Sequence, residues 1–418
     1  MPSRSREDRM AIDFTLEPEL AELADRTAEF VRTTVLPAEA EMLRGPGKPD
    51  DSLRHTLQRA AREAGVFAPT VPKHLGGLGL DLRGQSVILE EAGRSLLGPL
   101  ALHCAAPDEG NMLLLEKVAD AAQRDRFLKP LATGQVRSCF AMTEPAPGAG
   151  SDPSQLATVA RRTSGGWVLD GRKWFITGAD GAAFAIVMAR TGTAAEPAAT
   201  MFLVPADTPG FRVVRHIPSL DQGFTGGHCE IELDGCEAGE DAVLGEVDRG
   251  FAYAQVRLAP ARLTHCMRWL GLARHAHDLA LGYAAERTAF GSRLGELGMV
   301  QQQLADNEID IAASRALIRE AAWVLDQGRS GKHESSVAKT FTAEAVGRIV
   351  DRAIQVCGAL GISGDLPLSA YLREVRPFRI YDGPSETHRW SIARRALRAA
   401  AAKEPKPEGA EGMKEPQR

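Results

Sequence analysis

Apolar residues recur at helical spacing through the first third of the chain. Leu20, Ala24, Ala28 and Val31 form one stripe, and Leu53, Leu57, Ala61 and Ala64 another, as expected of half-buried helices. Pro37, Pro69 and Pro72 interrupt the pattern, and Gly76-Gly77-Leu78-Gly79 reads as a loop. The segments Gln85–Arg94 and Leu113–Leu131 continue it, the second with Glu116, Lys117, Asp120, Arg124 and Asp125 on its wet face. A helical domain is expected over residues 12–137.

The texture changes near Ser138. Short apolar runs follow at Phe184–Ala189, Met201–Val204, Phe211–Val214 and Glu230–Leu233, separated by Gly, Pro, Asp or Thr clusters. Before them, the stretch from Trp167 to Ile176 reads as two strands joined by Asp170-Gly171, a strong hairpin signal. No long helix lies between the runs, so an antiparallel sheet or small β-barrel is expected over residues 138–250. From Phe251 the helical period returns. Leu263, Met267 and Leu270 open a helix running to about Thr288. Leu317, Ala321, Val324 and Leu325 mark a second, and Phe341, Ala345, Ile349 and Ala353 a third. Residues 386–400 form a fourth, completing a helical bundle over 251–400. Residues 401–418, rich in Lys, Glu, Pro and Gly, have the composition of a disordered tail. The fold class expected is a multidomain α+β protein, ordered helices, sheet, helices.

Composition narrows the function. The chain has 418 residues, enough for two or three domains. A net charge of −5 disfavours nucleic acid as the main partner, although residues 373–398 are arginine-rich. Six cysteines without a CxxC pair fit reduced core residues of a cytoplasmic protein. The charged start from Met1 to Arg9 carries no apolar run, so no secretory signal is expected. No membrane span is expected either. No G-x-G-x-x-G follows a predicted strand, and no Walker loop, G-x-S-x-G or H-E-x-x-H occurs. The ten histidines show no metal spacing, so no metal is expected.

Two stretches carry candidate chemistry. Ile380-Tyr381-Asp382-Gly383-Pro384-Ser385-Glu386 sets a carboxylate between an aromatic ring and a glycine. Alone it reads as a surface turn. Paired with a ligand cleft, the glycine permits close approach, and the ring excludes water, which strengthens a carboxylate base. Met142-Thr143-Glu144-Pro145-Ala146-Pro147-Gly148-Ala149-Gly150-Ser151-Asp152 is a loop dense in small residues, suited to an anionic or heteroaromatic ligand or to a plain linker.

Together these stretches resemble the acyl-CoA dehydrogenase flavoproteins. The matching motifs are Phe140-Ala141-Met142-Thr143-Glu144-Pro145 with Gly148 to Asp152; Lys173-Trp174-Phe175-Ile176-Thr177; Arg287-Thr288-Ala289-Phe290-Gly291; and Tyr381-Asp382-Gly383. Any one is weak, but four in order across residues 15–400 are specific. Thr225-Gly226-Gly227-His228, the segment Pro260 to Arg268, and Gln355-Val356-Cys357-Gly358 are most similar to the branch of family members ten and eleven.

The resemblance implies FAD, an acyl-CoA substrate, an electron-transfer flavoprotein as acceptor, and a homodimer or homotetramer. It implies α,β-desaturation in which Asp382 takes the α-proton while hydride leaves Cβ for the flavin. Arg262 would orient Asp382 or hold substrate, and Ser151, Tyr381 and Gly383 would also line the substrate site. Phe140, Met142, Thr143, Ser151, Phe175, Ile176 and Thr177 would hold the flavin ring. Arg287 and Phe290 would reach the FAD of a neighbouring subunit; Gln355, Gly358, Ala359, Pro384 and Glu386 would complete the cofactor site. The pattern is not followed throughout. The base is usually glutamate, Gly298 stands where many members have a flavin-contacting glutamine, and Ala146-Pro147 is an insertion. Some members carry the base at the position of Ala261, which cannot serve here. The same motifs also fit a nitroalkane-oxidase-like flavin oxidase, or a non-catalytic flavoprotein associated with nucleic acid.

Overall fold

The computed structural model describes residues 14–45, 48–150, 152–193, 198–222 and 225–402. Five longer helices build the N-terminal part: α1 (Pro18–Phe30), α2 (Leu36–Arg44), α3 (Asp51–Glu63), α4 (Leu82–Ala92) and α5 (Asp108–Val118). The starts of α3 and α4 are chemically marked. Asp50 accepts from the Leu53 amide at 2.8 Å, and Asp81 from the Gly84 amide at 2.7 Å, each satisfying an orphan donor of the first turn.

A seven-stranded sheet follows: β1 (Ser138–Ala141), β2 (Val159–Thr163), β3 (Gly166–Thr177), β4 (Phe184–Arg190), β5 (Ala199–Pro205), β6 (Phe211–His216) and β7 (His228–Ala238). It runs β1-β4-β2-β3-β7-β6, with β5 also on β4. Most pairs are antiparallel, but β1 runs parallel to β4, as does the one bridge from β2 to β4. Strand β4 is buried on both faces. Ala185, Val187 and Ala189 pack in the sheet's own core, while Phe184, Ile186 and Met188 pack against the helices.

The hairpin expected at Asp170-Gly171 is not there. These residues lie inside the continuous strand β3, at a register shift against β7. A Cβ on Gly171 would stand 2.5 Å from the Thr158 hydroxyl, so the glycine marks a bulge and a close approach. The turn is at Ser164-Gly165, where Thr163 pairs with Gly166.

The C-terminal part holds the four long helices read from the sequence: α6 (Gly250–Glu286), α7 (Gly298–Asp326), α8 (Lys332–Cys357) and, after the short α9 (Leu368–Val375), α10 (Ser385–Ala401). The first starts thirteen residues before Leu263, runs through Pro260 and ends before Thr288. Of the tail expected from Ala401, residues 403–418 lie outside the described residues. Helices α4 and α6 touch backbone to backbone. A Cβ on Gly93 or on Gly271 would fall 2.0 Å from the Arg268 or Glu90 carbonyl oxygen, respectively. Glu90 then accepts from Arg274 at 2.9 Å and Arg315 at 2.7 Å, tying α4 to α6 and α7. This contact brings α6 against the N-terminal helices beside the site.

Candidate active site

Asp382 sits on a corner between α9 and α10, where it and Gly383 take positive φ of 54° and 96°. Aspartate tolerates this left-handed region better than most residues. Three groups clamp the corner's carbonyls. Arg262 Nε donates to Asp382 O at 2.9 Å, His388 Nε2 lies 3.1 Å from the same oxygen, and Lys339 Nζ donates to Gly383 O at 2.7 Å. Burial pulls the Lys339 ammonium down to about 8. Arg262 therefore acts on the backbone of Asp382 rather than its carboxylate. The side chain is left free for chemistry, since Asp382 Oδ2 is buried without a hydrogen-bond donor.

Two residues at this corner were not legible as site residues. His265 Nε2 stands 3.3 Å from Asp382 Oδ2. Burial, then the charges of Arg268, Arg257 and Lys339, hold its imidazole well below the usual histidine range, so it is neutral at neutral pH. Trp269 Nε1 donates to the Tyr381 hydroxyl, and the Tyr381 ring lies 4.9 Å from that of His265. The available signal was spacing: Arg262, His265 and Trp269 lie three, then four, residues apart and so share a face of α6.

The start of the small-residue loop before β2 is tied to strand β3. Glu144 and Lys173 form an ion pair at 2.8 Å, with side chains 1% and 0% exposed. Lys173 also donates to the Met142 and Met188 carbonyls at 3.1 and 2.6 Å. Glu144 accepts from the amides of Ala149, Ala157 and Thr158. Burial opposes its ionisation, but the Lys173 charge and these donors outweigh it and hold the carboxyl below its usual range. Trp174 N donates to Thr143 O at 3.0 Å, at a second register shift in β3. That irregularity gives Phe175 a φ of 50° and leaves the residue 44% exposed, as a bulge re-aims a side chain. Ile176 instead points into the sheet core, so only its backbone is offered to a ligand. The Thr177 hydroxyl lies 3.0 Å from His228 Nδ1. Phe140 stacks under the buried Arg257 guanidinium at 4.1 Å, and Arg257 Nε donates to Asn111 at 2.8 Å.

Of the remaining expected cofactor residues, Pro384 caps α10 beside the Asp382 corner, and most of the others are exposed. Arg287 and Phe290 lie at and just past the end of α6, with Phe290 94% exposed. Gln355, Gly358 and Ala359 are exposed near the end of α8, and Glu386 is exposed on α10. Ser151 lies outside the described residues. Among the described residues, no group of three or more His, Cys, Asp or Glu could hold a metal ion, and no helix is long and apolar enough to cross a membrane. All six cysteines are buried and free.

Family models of the acyl-CoA dehydrogenase N-terminal, middle and C-terminal domains match residues 17–135, 139–236 and 248–397. The chain belongs to the acyl-CoA dehydrogenase family. Members of this family bind FAD and dehydrogenate acyl-CoA thioesters. This acyl-CoA dehydrogenase is 37% identical to the Mycobacterium tuberculosis protein named probable acyl-CoA dehydrogenase FadE2, over 92% of the chain and 97% of that protein. It is 34% identical to human acyl-CoA dehydrogenase family member 11, over 91% of the chain but 50% of the relative. The chain thus spans about half the length of that relative. Its fold matches the butyryl-CoA dehydrogenase of Megasphaera elsdenii with a TM-score of 0.83, at 25% identity over 92% of the chain and 100% of that structure.

Proposed function

We propose that the protein binds FAD and converts an acyl-CoA thioester to its 2,3-enoyl form, with Asp382 as the base. The observation that carries this reading is Asp382 Oδ2, a buried carboxylate oxygen with no donor of its own, on a corner whose carbonyls are held by Arg262, His388 and Lys339. An unsatisfied buried acceptor is costly. A proton taken from substrate would relieve it.

The residues present fit a flavin. Phe175 offers an exposed aromatic face for an isoalloxazine ring. Met142 and Thr143 lie on a loop whose shape Glu144 and Lys173 fix, and Phe140 and Thr177 flank it. When bound, the flavin supplies a hydride acceptor. Asp382 takes the α-proton, and its backbone amide donates toward the thioester oxygen, where negative charge builds. Tyr381, His265 and Trp269 exclude water from the carboxylate, and neutral His265 adds no competing acid. Arg262 is a positioning residue.

The exposed Arg287, Phe290 and Gln355 are proposed to complete the cofactor site of a second copy in a dimer or tetramer. The guanidinium fork of Arg287 suits a pyrophosphate. An electron-transfer flavoprotein would reoxidise the enzyme, and the cytoplasm is the proposed compartment. The test is anaerobic titration of the flavin-loaded protein with acyl-CoAs of several lengths. Loss of the flavin's blue absorbance supports the reading. Rapid peroxide formation in air without an added acceptor would assign an oxidase of the same fold.

A further inference from the structure

A cavity is lined by His265, Arg268 and Trp269 of α6, together with residues after α4 and before β1 and with Thr225 and Glu374; His265 is the lining residue that also stands against Asp382. Its apolar wall includes Leu96, Pro99 and Leu100. Its opposite wall is polar, and two groups there are open. Arg268 is 5% exposed. Its Nη1 donates to the Cys104 carbonyl at 2.7 Å and lies 3.5 Å from Glu109, but its Nη2 is buried with no partner. The Thr225 hydroxyl, on the same cavity, is also buried with no partner. Other polar side chains lining the cavity are engaged. Arg137 is held by Asp51 and by the Gly178 and Asp180 carbonyls, Asp108 accepts from Ser138, and Glu374 accepts from the Gln222 amide.

A buried guanidinium nitrogen without an acceptor is costly, and a hydrocarbon chain would leave it so. We infer that the acyl chain taken by this cavity carries an oxygen acceptor beyond its reacting carbons, an alcohol, ketone or carboxylate, received by Arg268 Nη2 and the Thr225 hydroxyl. The inference rests on the acyl-CoA reading of the site. Arg268 follows His265 by three residues, about 4.5 Å along the helix axis, and His265 Nε2 stands 3.3 Å from Asp382 Oδ2, so the acceptor would fall beyond the reacting pair. Arg268 is a specificity residue here, since it touches neither the reacting carbons nor Asp382.

The test compares hexanoyl-CoA with adipoyl-CoA, 4- and 5-hydroxyhexanoyl-CoA and 5-oxohexanoyl-CoA, each scored anaerobically on the flavin-loaded protein. At least one oxygenated chain should exceed hexanoyl-CoA in the second-order rate constant for flavin bleaching by roughly tenfold or more, as sites built to hydrogen-bond a substrate discriminate strongly. Adipoyl-CoA leading identifies a carboxylate; a hydroxy or oxo chain leading identifies a neutral oxygen. The preference ratio should collapse toward one in Arg268→Met and shrink in Thr225→Val, with melting temperature and flavin content confirming that each variant is folded. If Arg268→Met does not fold, Thr225→Val and Arg268→Lys carry the same comparison. Hexanoyl-CoA matching or beating every oxygenated chain would overturn the inference and leave the dehydrogenase reading standing. So would a preference that survives in the folded variants. If no acyl-CoA bleaches the flavin, the reading of the site falls and the inference falls with it.

Discussion

At the scale of single residues, the site is a carboxylate held by its own backbone. Arg262 reaches the Asp382 carbonyl rather than the carboxyl group. Its loss should therefore misplace the base without unloading the flavin. Arg262→Met is expected to slow substrate bleaching by about a hundredfold, the order of penalty for small misplacements, with flavin content unchanged. Stopped-flow bleaching beside the flavin-to-protein absorbance ratio checks this, and an undiminished rate contradicts it. His265 supplies a pH prediction. Burial first, then nearby cations, hold it well below 6.5, so it carries no charge through neutral pH. The acid limb of the bleaching rate should keep its midpoint in His265→Gln, and a limb that moves would show that the imidazole titrates. Asp382 could be singled out from sequence because its neighbours form a motif. His265 and Arg268 could not, because a buried histidine and arginine on a long helix look like any other packed residues until the facing loop and cavity are known.

At the scale of elements, two ion pairs connect the layers and make separable predictions. Glu144 and Lys173 lock the loop before β2 to strand β3 deep in the protein. Glu144→Gln leaves the Lys173 ammonium buried without a counter-charge, a change that costs about 3–5 kcal/mol in such settings. A large fall in melting temperature is expected by calorimetry, and a change of a degree or less contradicts it. Asp51 is paired with Arg137 at 2.9 Å and joins α3 to the start of the sheet. The Arg137 hydrogen bonds lower the Asp51 carboxyl to about 2 despite partial burial. Because the folded value lies below the unfolded one, this stabilisation is present above about pH 4 and fades as pH falls through 2. The melting-temperature gap between the wild type and Asp51→Asn should thus be widest at pH 5 and narrow toward pH 2.5. A gap that holds constant would remove the pair from the account. The elements themselves were unevenly legible. The bundle helices run for up to 37 residues, long enough for periodicity to show. The bulge in β3 was misread as a hairpin because Asp-Gly serves a bulge as well as a turn. Short α9, which delivers the corner, is too brief to declare itself among neighbouring loops.

At the scale of the whole molecule, one chain carries the proposed base and the proposed flavin-ring residues but leaves the expected pyrophosphate residues exposed. Phe290 is the most exposed large apolar side chain described, at 94%. Arg287→Glu is expected to lower flavin occupancy severalfold after purification, and light scattering should give a mass of two or four chains for the wild type. Full occupancy in that variant, on a monomer, would confine the cofactor site to one chain. The order of helices, sheet and helices was readable because each part has its own hydrophobic period. The proposed completion of the site by a second copy has no such signal beyond the motif. The central claim is that a flavin-loaded protein uses Asp382 to take a proton from an acyl-CoA, and anaerobic mixing of the wild type and Asp382→Asn with substrate tests it most directly. The wild type should lose its blue flavin absorbance, while the variant keeps its flavin and bleaches slower by roughly a thousandfold, within the range for loss of a general base. Comparable bleaching in the two proteins would contradict the assignment.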